Sequence, residues 1–313
     1  MKYKNWDDFK LHVSSIKTVL THPLSAKPPS KYDLKKVENI ISKGDITPED
    51  QAVIDAVREK ERIFLDPPLA KGTISMLTRR YPREKYKKLV LSIGRHYPAV
   101  QKGTMMEDES VVELSKFYKK EFIRNTESFE NDYLRGFPDI FHAKDNMVID
   151  TKVSWNIETF FKARLEKLSA LYWYQMQGYL ELTGAKSGKV CFVLLSTPKE
   201  LIEKEKVKTI TDFITGTINR DKYEAKMEMY NLAFDYDKIP LRRRIIEFNV
   251  KKCDEVFPKI YKRIAKCREW LNWFEREHLT NKKIITLAED YANSAKESNT
   301  ESDTADTYSG DTE

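Results

Sequence analysis

Cysteine is scarce in this chain. Cys191, Cys253 and Cys267 are the only three in 313 residues, they lie far apart, and no C-x-x-C occurs. That excludes a disulfide framework and a cysteine-based zinc site. It also excludes a four-cysteine iron–sulfur cluster. The three thiols read as buried or inert. Long apolar runs are lacking too: none approaches the roughly 20 residues that span a bilayer, so no membrane partner is expected. The opening MKYKNWDDFKLH has no apolar signal-peptide core, and a cytoplasmic location is expected. No internal repeat is present.

Charge is plentiful, at 33% of residues, and unevenly spread. Between Glu289 and Glu313 there are eight acids and one lysine. The tail therefore carries −7, and the first 288 residues carry +13 of the overall +6. A basic body of this kind suits a polyanionic partner, because each neutralised phosphate releases counterions. The tail is rich in Ser, Thr, Asp and Glu, has almost nothing to bury, and is expected to be disordered. The stretch 70–100 is the most basic, with Lys71, Arg79, Arg80, Arg83, Lys85, Lys87, Lys88 and Arg95 interleaved with Tyr81, Tyr86 and Tyr97. It reads either as a surface that tracks a DNA backbone or as a solvated helix face.

Punctuation along the chain divides it into three parts: a helical, basic region 1–100, a core 101–288 and the tail 289–313. Residues 5–20 read as a short amphipathic helix. HPLSAKPPS at 22–30 breaks the chain, and 33–43 is helical up to Gly44. Thr47-Pro48-Glu49-Asp50 is a helix start, with a capping threonine, proline at the first position and acids in the first turn. Asp66-Pro67-Pro68 ends that helix. Gly103 and Thr104 open a helix from about Met105 to Glu121, with Val111, Val112, Leu114, Phe117 and Tyr118 as its apolar face. Strands follow in 122–142 and 147–153, then helices at 157–168 and 170–183. KVCFVLLS at 189–196 reads as a buried strand. Residues 199–235 are helical, 244–250 a strand, and 254–278 a long amphipathic helix. The fold class is α/β (α+β), one mixed sheet with helices on its faces.

The stretch from Gly136 to Lys152, GFPDIFHAKDNMVIDTK, carries the chemistry. Read as a β-hairpin turning at Asp145-Asn146, it puts Asp139 near the middle of one strand and Asp150 and Lys152 on the next. Side chains alternate with period two, so Asp150 and Lys152 share a face. Two carboxylates and an amine crowded on rigid backbone are costly, and a divalent cation accounts for the cost. The D/E-x-K spacing recurs at Asp8/Lys10, Asp33/Lys35 and Glu224/Lys226, but in helices, where i and i+2 diverge. Only Asp150/Lys152 follows a β-type apolar run with a Pro-Asp eleven residues upstream.

Gly136-Phe-Pro-Asp139, Asp150-Thr-Lys152 and Tyr174-Gln175-Met-Gln177-Gly-Tyr179 resemble the PD-(D/E)xK nuclease superfamily, in particular the lambda-exonuclease and YqaJ-type phage recombination nucleases. Gly103-Thr-Met-Met-Glu107 resembles that family's glycine followed four residues on by a metal-binding glutamate. The resemblance covers about residues 100–200. It implies a restriction-endonuclease-like core and a Mg²⁺ ion, with Mn²⁺ able to substitute, held by Asp139, Asp150, Glu107 and the Thr151 carbonyl. Lys152 and Gln175 would attend the attacking water and the scissile phosphate. Glu109 and Glu113 stand as rivals to Glu107. His142, three residues past Asp139, reads as lying on the opposite face of its strand. Tyr172, Trp173 and Tyr174 read as core or as stacking surfaces for unpaired bases. The family's arginine-led glycine-serine segment near the N-terminus is not found, so its 5′-phosphate pocket is not carried over.

The implied activity is hydrolysis of DNA phosphodiester bonds, by an exonuclease resecting double-strand ends. Its partners would be duplex DNA ends, a single-strand annealing protein and further copies of the chain, in a bacterial host cytoplasm if the gene is phage-borne. The alternatives are an endonuclease or repair nuclease of the same fold, and a DNA-binding protein that keeps a degenerate nuclease fold.

Overall fold

The computed structural model describes residues 5–23, 26–88, 97–232 and 234–279. The acidic tail and Arg95 lie outside the described residues. The chain opens with a short strand, β1 (Leu11–His12), a 3-10 turn and helix α1 (Ile16–Val19). Helices α2 (Lys31–Ser42), α3 (Pro48–Leu65), α4 (Lys71–Tyr86), α5 (Pro98–Met105) and α6 (Glu107–Tyr118) follow. Then come strands β2 (Phe129–Glu130), β3 (Leu134–Gly136), β4 (Ile140–His142) and β5 (Met147–Val153). Helices α7 (Ile157–Leu165) and α8 (Ala170–Thr183) lead to β6 (Ser187–Val193). The chain continues through α9 (Lys199–Ile214), α10 (Arg220–Leu232), β7 (Ile245–Lys251) and α11 (Phe257–Phe274).

The central sheet has the order β4-β5-β6-β7. β5 and β6 are parallel, while β4 and β7 pair antiparallel at the two edges. Two parallel neighbours need a crossover, and α7 and α8 provide it. The class read from the sequence, a mixed sheet between helices, is the one observed. A second, three-stranded sheet of order β1-β3-β2 accompanies it. Alternation along β5 assigns its two faces. Val148 packs in the core with Met176 and Leu180 of α8, and Ile149 packs in the core with Val111 and Leu114 of α6.

Three local expectations change. Residues 5–20 are not one helix, because Phe9, Leu11 and Val13 alternate and only Ile16, Val19 and Leu20 follow helical spacing. All six are buried, and the backbone switches from strand to helix between them. Gly103 and Thr104 do not start a helix. They lie inside α5, which Pro98 opens, and the break comes at Met106, with φ −105°. Asp139 is not in mid-strand; it immediately precedes β4. Thr47 caps its helix as read, in a reciprocal capping box, Ser30 forms a second such box, and Asn146 takes a left-handed turn at φ 46°.

The N-terminal segment is locked against α8 at Gly178. A Cβ there would stand 2.6 Å from Val13 Cγ1 and 2.7 Å from Ile16 Cδ1. Both partners are fully buried and cannot yield. Gly178→Ala is therefore expected to cost about 1–3 kcal/mol by overpacking, read from chemical denaturation. An unchanged midpoint would show that the contact is loose.

Candidate active site

β5 is paired unequally on its two sides, and the candidate site lies where the pairing is missing. β6 accompanies it from Val148 to Val153. β4 pairs only with Met147, Val148 and Ile149, since its register runs Ile140↔Ile149 to His142↔Met147. Beyond Ile149 one edge of β5 has no strand neighbour among the described residues. An unpaired buried amide is costly, and Asp139 meets the need, because its Oδ2 accepts from Thr151 N (2.6 Å) and Thr151 Oγ1 (3.0 Å). The early end of β4 thus opens a cleft of about 570 Å³ and ties Asp139 to the strand that carries Asp150 and Lys152.

Glu107, Asp139, Asp150, Thr151, Lys152 and Gln175 all line this cleft, with Gly103, Trp155 and Tyr172. Strand alternation places Asp150 and Lys152 together, with Nζ 2.6 Å from Oδ2. Asp150 Oδ2 is buried and receives no well-aligned hydrogen bond. Gln175 of α8 reaches over from the helix layer: its Nε2 is 3.4 Å from Asp150 Oδ1 and donates to Tyr179 Oη at 3.0 Å. Tyr172 lies beside the lysine, its ring centroid 5.1 Å from Nζ.

The electrostatics follow from burial. Desolvation pushes Asp150 up to about 6, and the negative charge of Asp139 adds to it while Lys152 opposes it. Burial pulls Lys152 towards neutrality, but Asp150 and Asp139 outweigh it and hold the ammonium charged. Glu107 is also raised, chiefly by burial.

Among the rivals to Glu107, Glu113 faces away from the cleft. It is buried and paired with Arg244 (3.1 Å) and Lys116 (2.6 Å). Glu109 is exposed. Glu107 itself is ion-paired with Arg124, which also holds Asp108 at 3.1 Å. Among the described residues no three acidic, histidine or cysteine side chains stand close enough to hold one ion as they are oriented. The donors nevertheless suit a hard cation in kind: carboxylate oxygens of Asp150 on β5 and of Asp139 just before β4, tied to β5 through Thr151. Glu107 would join that set only on giving up its ion pair with Arg124.

Gln177 points away from the cleft. It is buried, donates to Lys251 O and accepts from Cys253 N, both at 2.8 Å. His142 contacts Asp145 (3.3 Å) and the edge of Phe122 instead of the cleft. Tyr179, which orients Gln175, was missing from the sequence-derived site. Its spacing of four from Gln175, one helical turn, is the signal that could have found it.

A second cavity, of about 760 Å³, is lined by His12, Arg80, Arg83, Lys87, Arg135 and Phe137, among others. Burial, followed by the charges of Arg80, Arg135 and Arg83, lowers His12 to about 4. Part of the basic stretch therefore does face a cavity. Lys85, by contrast, is buried against Glu275 at 2.5 Å.

No family model matches the chain, and no curated protein sequence matches it. Among solved structures it is similar to a phage-related exonuclease from Haemophilus somnus 129PT. The TM-score is 0.53 at 20% identity, over 86% of this chain and 96% of that one. It is also similar to an alkaline exonuclease, LHK-Exo, from Laribacter hongkongensis, with a TM-score of 0.47 at 11% identity over 87% and 96%. The chain has the mixed-sheet fold of the first of these, in agreement with the resemblance drawn from its motifs. No helix among the described residues is long and apolar enough to cross a membrane.

Proposed function

We propose that this protein is a Mg²⁺-dependent deoxyribonuclease that degrades duplex DNA from its ends. The observation that carries the reading is Asp139, Asp150 and Lys152 gathered at the unpaired edge of β5, under Gln175. The shared exonuclease fold supports it.

A bound divalent cation would lower the pKa of a water and offset charge growing on the phosphate. The chain's own residues do the rest. Asp139 and Asp150, with Glu107, supply the negative oxygens that hold the cation. Lys152, held charged by its neighbours, faces the developing negative charge and orients the nucleophile. Gln175, steadied by Tyr179, offers an amide to the water or the phosphate. The arginines of the second cavity would meet the phosphates of the same duplex. Phe137 lines that cavity and Asp139 the cleft, only two residues apart in the chain. End resection for recombination, a single-strand annealing partner and self-assembly belong to the same proposal.

Linear and closed circular duplex DNA incubated with Mg²⁺ test it. Loss of linear DNA alone supports an exonuclease, and nicking or cutting of circles points to an endonuclease. Inactivity on both, with Mn²⁺ also tried at low salt, sinks the enzymatic reading.

A further inference from the structure

Lys102 is among the most deeply buried side chains in the molecule, at 0% exposure, and the chemistry proposed above does not use it. Its Nζ donates to Leu195 O at 2.6 Å and to Trp155 O at 2.9 Å, and lies 5.6 Å from the Tyr236 ring centroid. Among the described residues no carboxylate pairs with it. Burial pushes its ammonium down to about 7. Removing an ammonium from water costs several kcal/mol, and methionine would fill similar space without that cost. Lysine alone adds N–H donors aimed at two carbonyls.

The location of those carbonyls gives the donors a purpose. Trp155 lies two residues past the end of β5, and Leu195 two past the end of β6. The strands separate there, and Ser154 N→Val193 O (3.0 Å) is a backbone link just before they do. Lys102 bridges the gap one step further and fastens α5 to both strand ends. Its own carbonyl accepts from Met106 N (3.0 Å), and Met106 O accepts from Ser110 N (2.9 Å). Glu107 is the first residue of α6, between those two bonds. Gly103 and Thr104, the next residues of α5, line the cleft, as does Trp155.

We infer that Lys102 is a positioning residue: by clamping α5 to the Trp155 and Leu195 carbonyls it fixes where Glu107 stands beside Asp139 and Asp150. The inference rests on the metal-dependent reading of the cleft. Losing a group that orients a metal ligand typically lowers metal affinity or activity about 10–100-fold.

The test compares full-length wild type, Lys102→Met and Lys102→Arg. Three quantities are measured: thermal melting, Mn²⁺ affinity by calorimetry without DNA, and kcat and KM on linear duplex DNA. Lys102→Met is expected to melt near wild type, because removing a desolvated charge offsets the lost hydrogen bonds. Its Mn²⁺ affinity and kcat should fall about 10–100-fold, with KM for DNA little changed. Lys102→Arg, which retains donors, should recover most of the loss. Wild-type metal affinity and kcat in Lys102→Met overturn the inference. So does a well-folded Lys102→Arg as impaired as Lys102→Met, since the role is then steric. If Lys102→Met does not fold, Lys102→Gln replaces it. Its shorter amide cannot reach both carbonyls, so the same loss is expected and wild-type metal affinity again overturns the inference. A wild type that neither binds Mn²⁺ nor cuts DNA removes the nuclease reading itself. An active wild type with an unaffected Lys102→Met removes only the positioning role.

Discussion

Lys152→Ala should lower kcat on linear duplex DNA by about 10²–10⁴-fold, the range for removing a positioned proton-transfer or charge-stabilising group. The fold should survive, because the Lys152 side chain remains partly exposed at the strand end and fills no core position. What is lost is a charge 2.6 Å from Asp150, held in its protonated form by two carboxylates. Lys152→Arg should rescue poorly, since a planar fork does not replace a point charge at this position. Single-turnover cleavage at saturating DNA separates the chemical step from binding. A variant keeping more than a tenth of wild-type kcat would place the chemistry elsewhere.

The second large effect is on stability, and its sign depends on the metal. A ligand at about 100 times its Kd stabilises the folded state by about 2.7 kcal/mol. At roughly 2–4 °C per kcal/mol for chains somewhat shorter than this one, Mg²⁺ or Mn²⁺ should raise the melting temperature by about 5–10 °C. Asp139→Asn combined with Asp150→Asn should abolish that rise. A double variant that retains it would put the ion at another site.

Without metal, Asp150→Asn should instead stabilise. The folded-state pKa of Asp150 is raised to about 6 from an ordinary 3.8. The folded protein therefore binds this proton more tightly than the unfolded chain does, and its contribution is full below about pH 4. That contribution is lost as the pH rises through 6, leaving a charged carboxylate at 1% exposure as a net cost at pH 7. Asparagine removes the cost, so the metal-free variant should melt above wild type at pH 7 and lose that advantage near pH 4. Melting curves across this range in chelator check it, and a variant less stable at pH 7 would mean that the pairing with Lys152 outweighs burial.

The part of the site that strand geometry dictates was legible in the residues. Asp150 and Lys152 share a face because the backbone alternates, and no tertiary contact alters that. Asn146 turns the hairpin and Thr47 caps its helix through local hydrogen bonding alone. The N-terminal segment departs from a single helix because its apolar residues change period midway. Only packing against Gly178 and β3 shows which period applies at each position.

Among the acids after Gly103, spacing could not choose between Glu107, Glu109 and Glu113, since a helix shifted by a residue or two satisfies the same apolar face. In the fold, the break at Met106 leaves Glu107 lining the cleft, while Glu113 is held away from it by Arg244. By itself, then, the sequence determined the kinds of donor and their order, through local rules of alternation and capping. The tertiary structure decided the cleft. It exists because β4 stops after three residues of pairing, because Asp139 meets the Thr151 amide left open there, and because a buried Lys102 holds α5 against the strand ends. Each of these depends on residues far apart in the chain, where a hydrogen bond or a burial cost is fixed only once the segments meet.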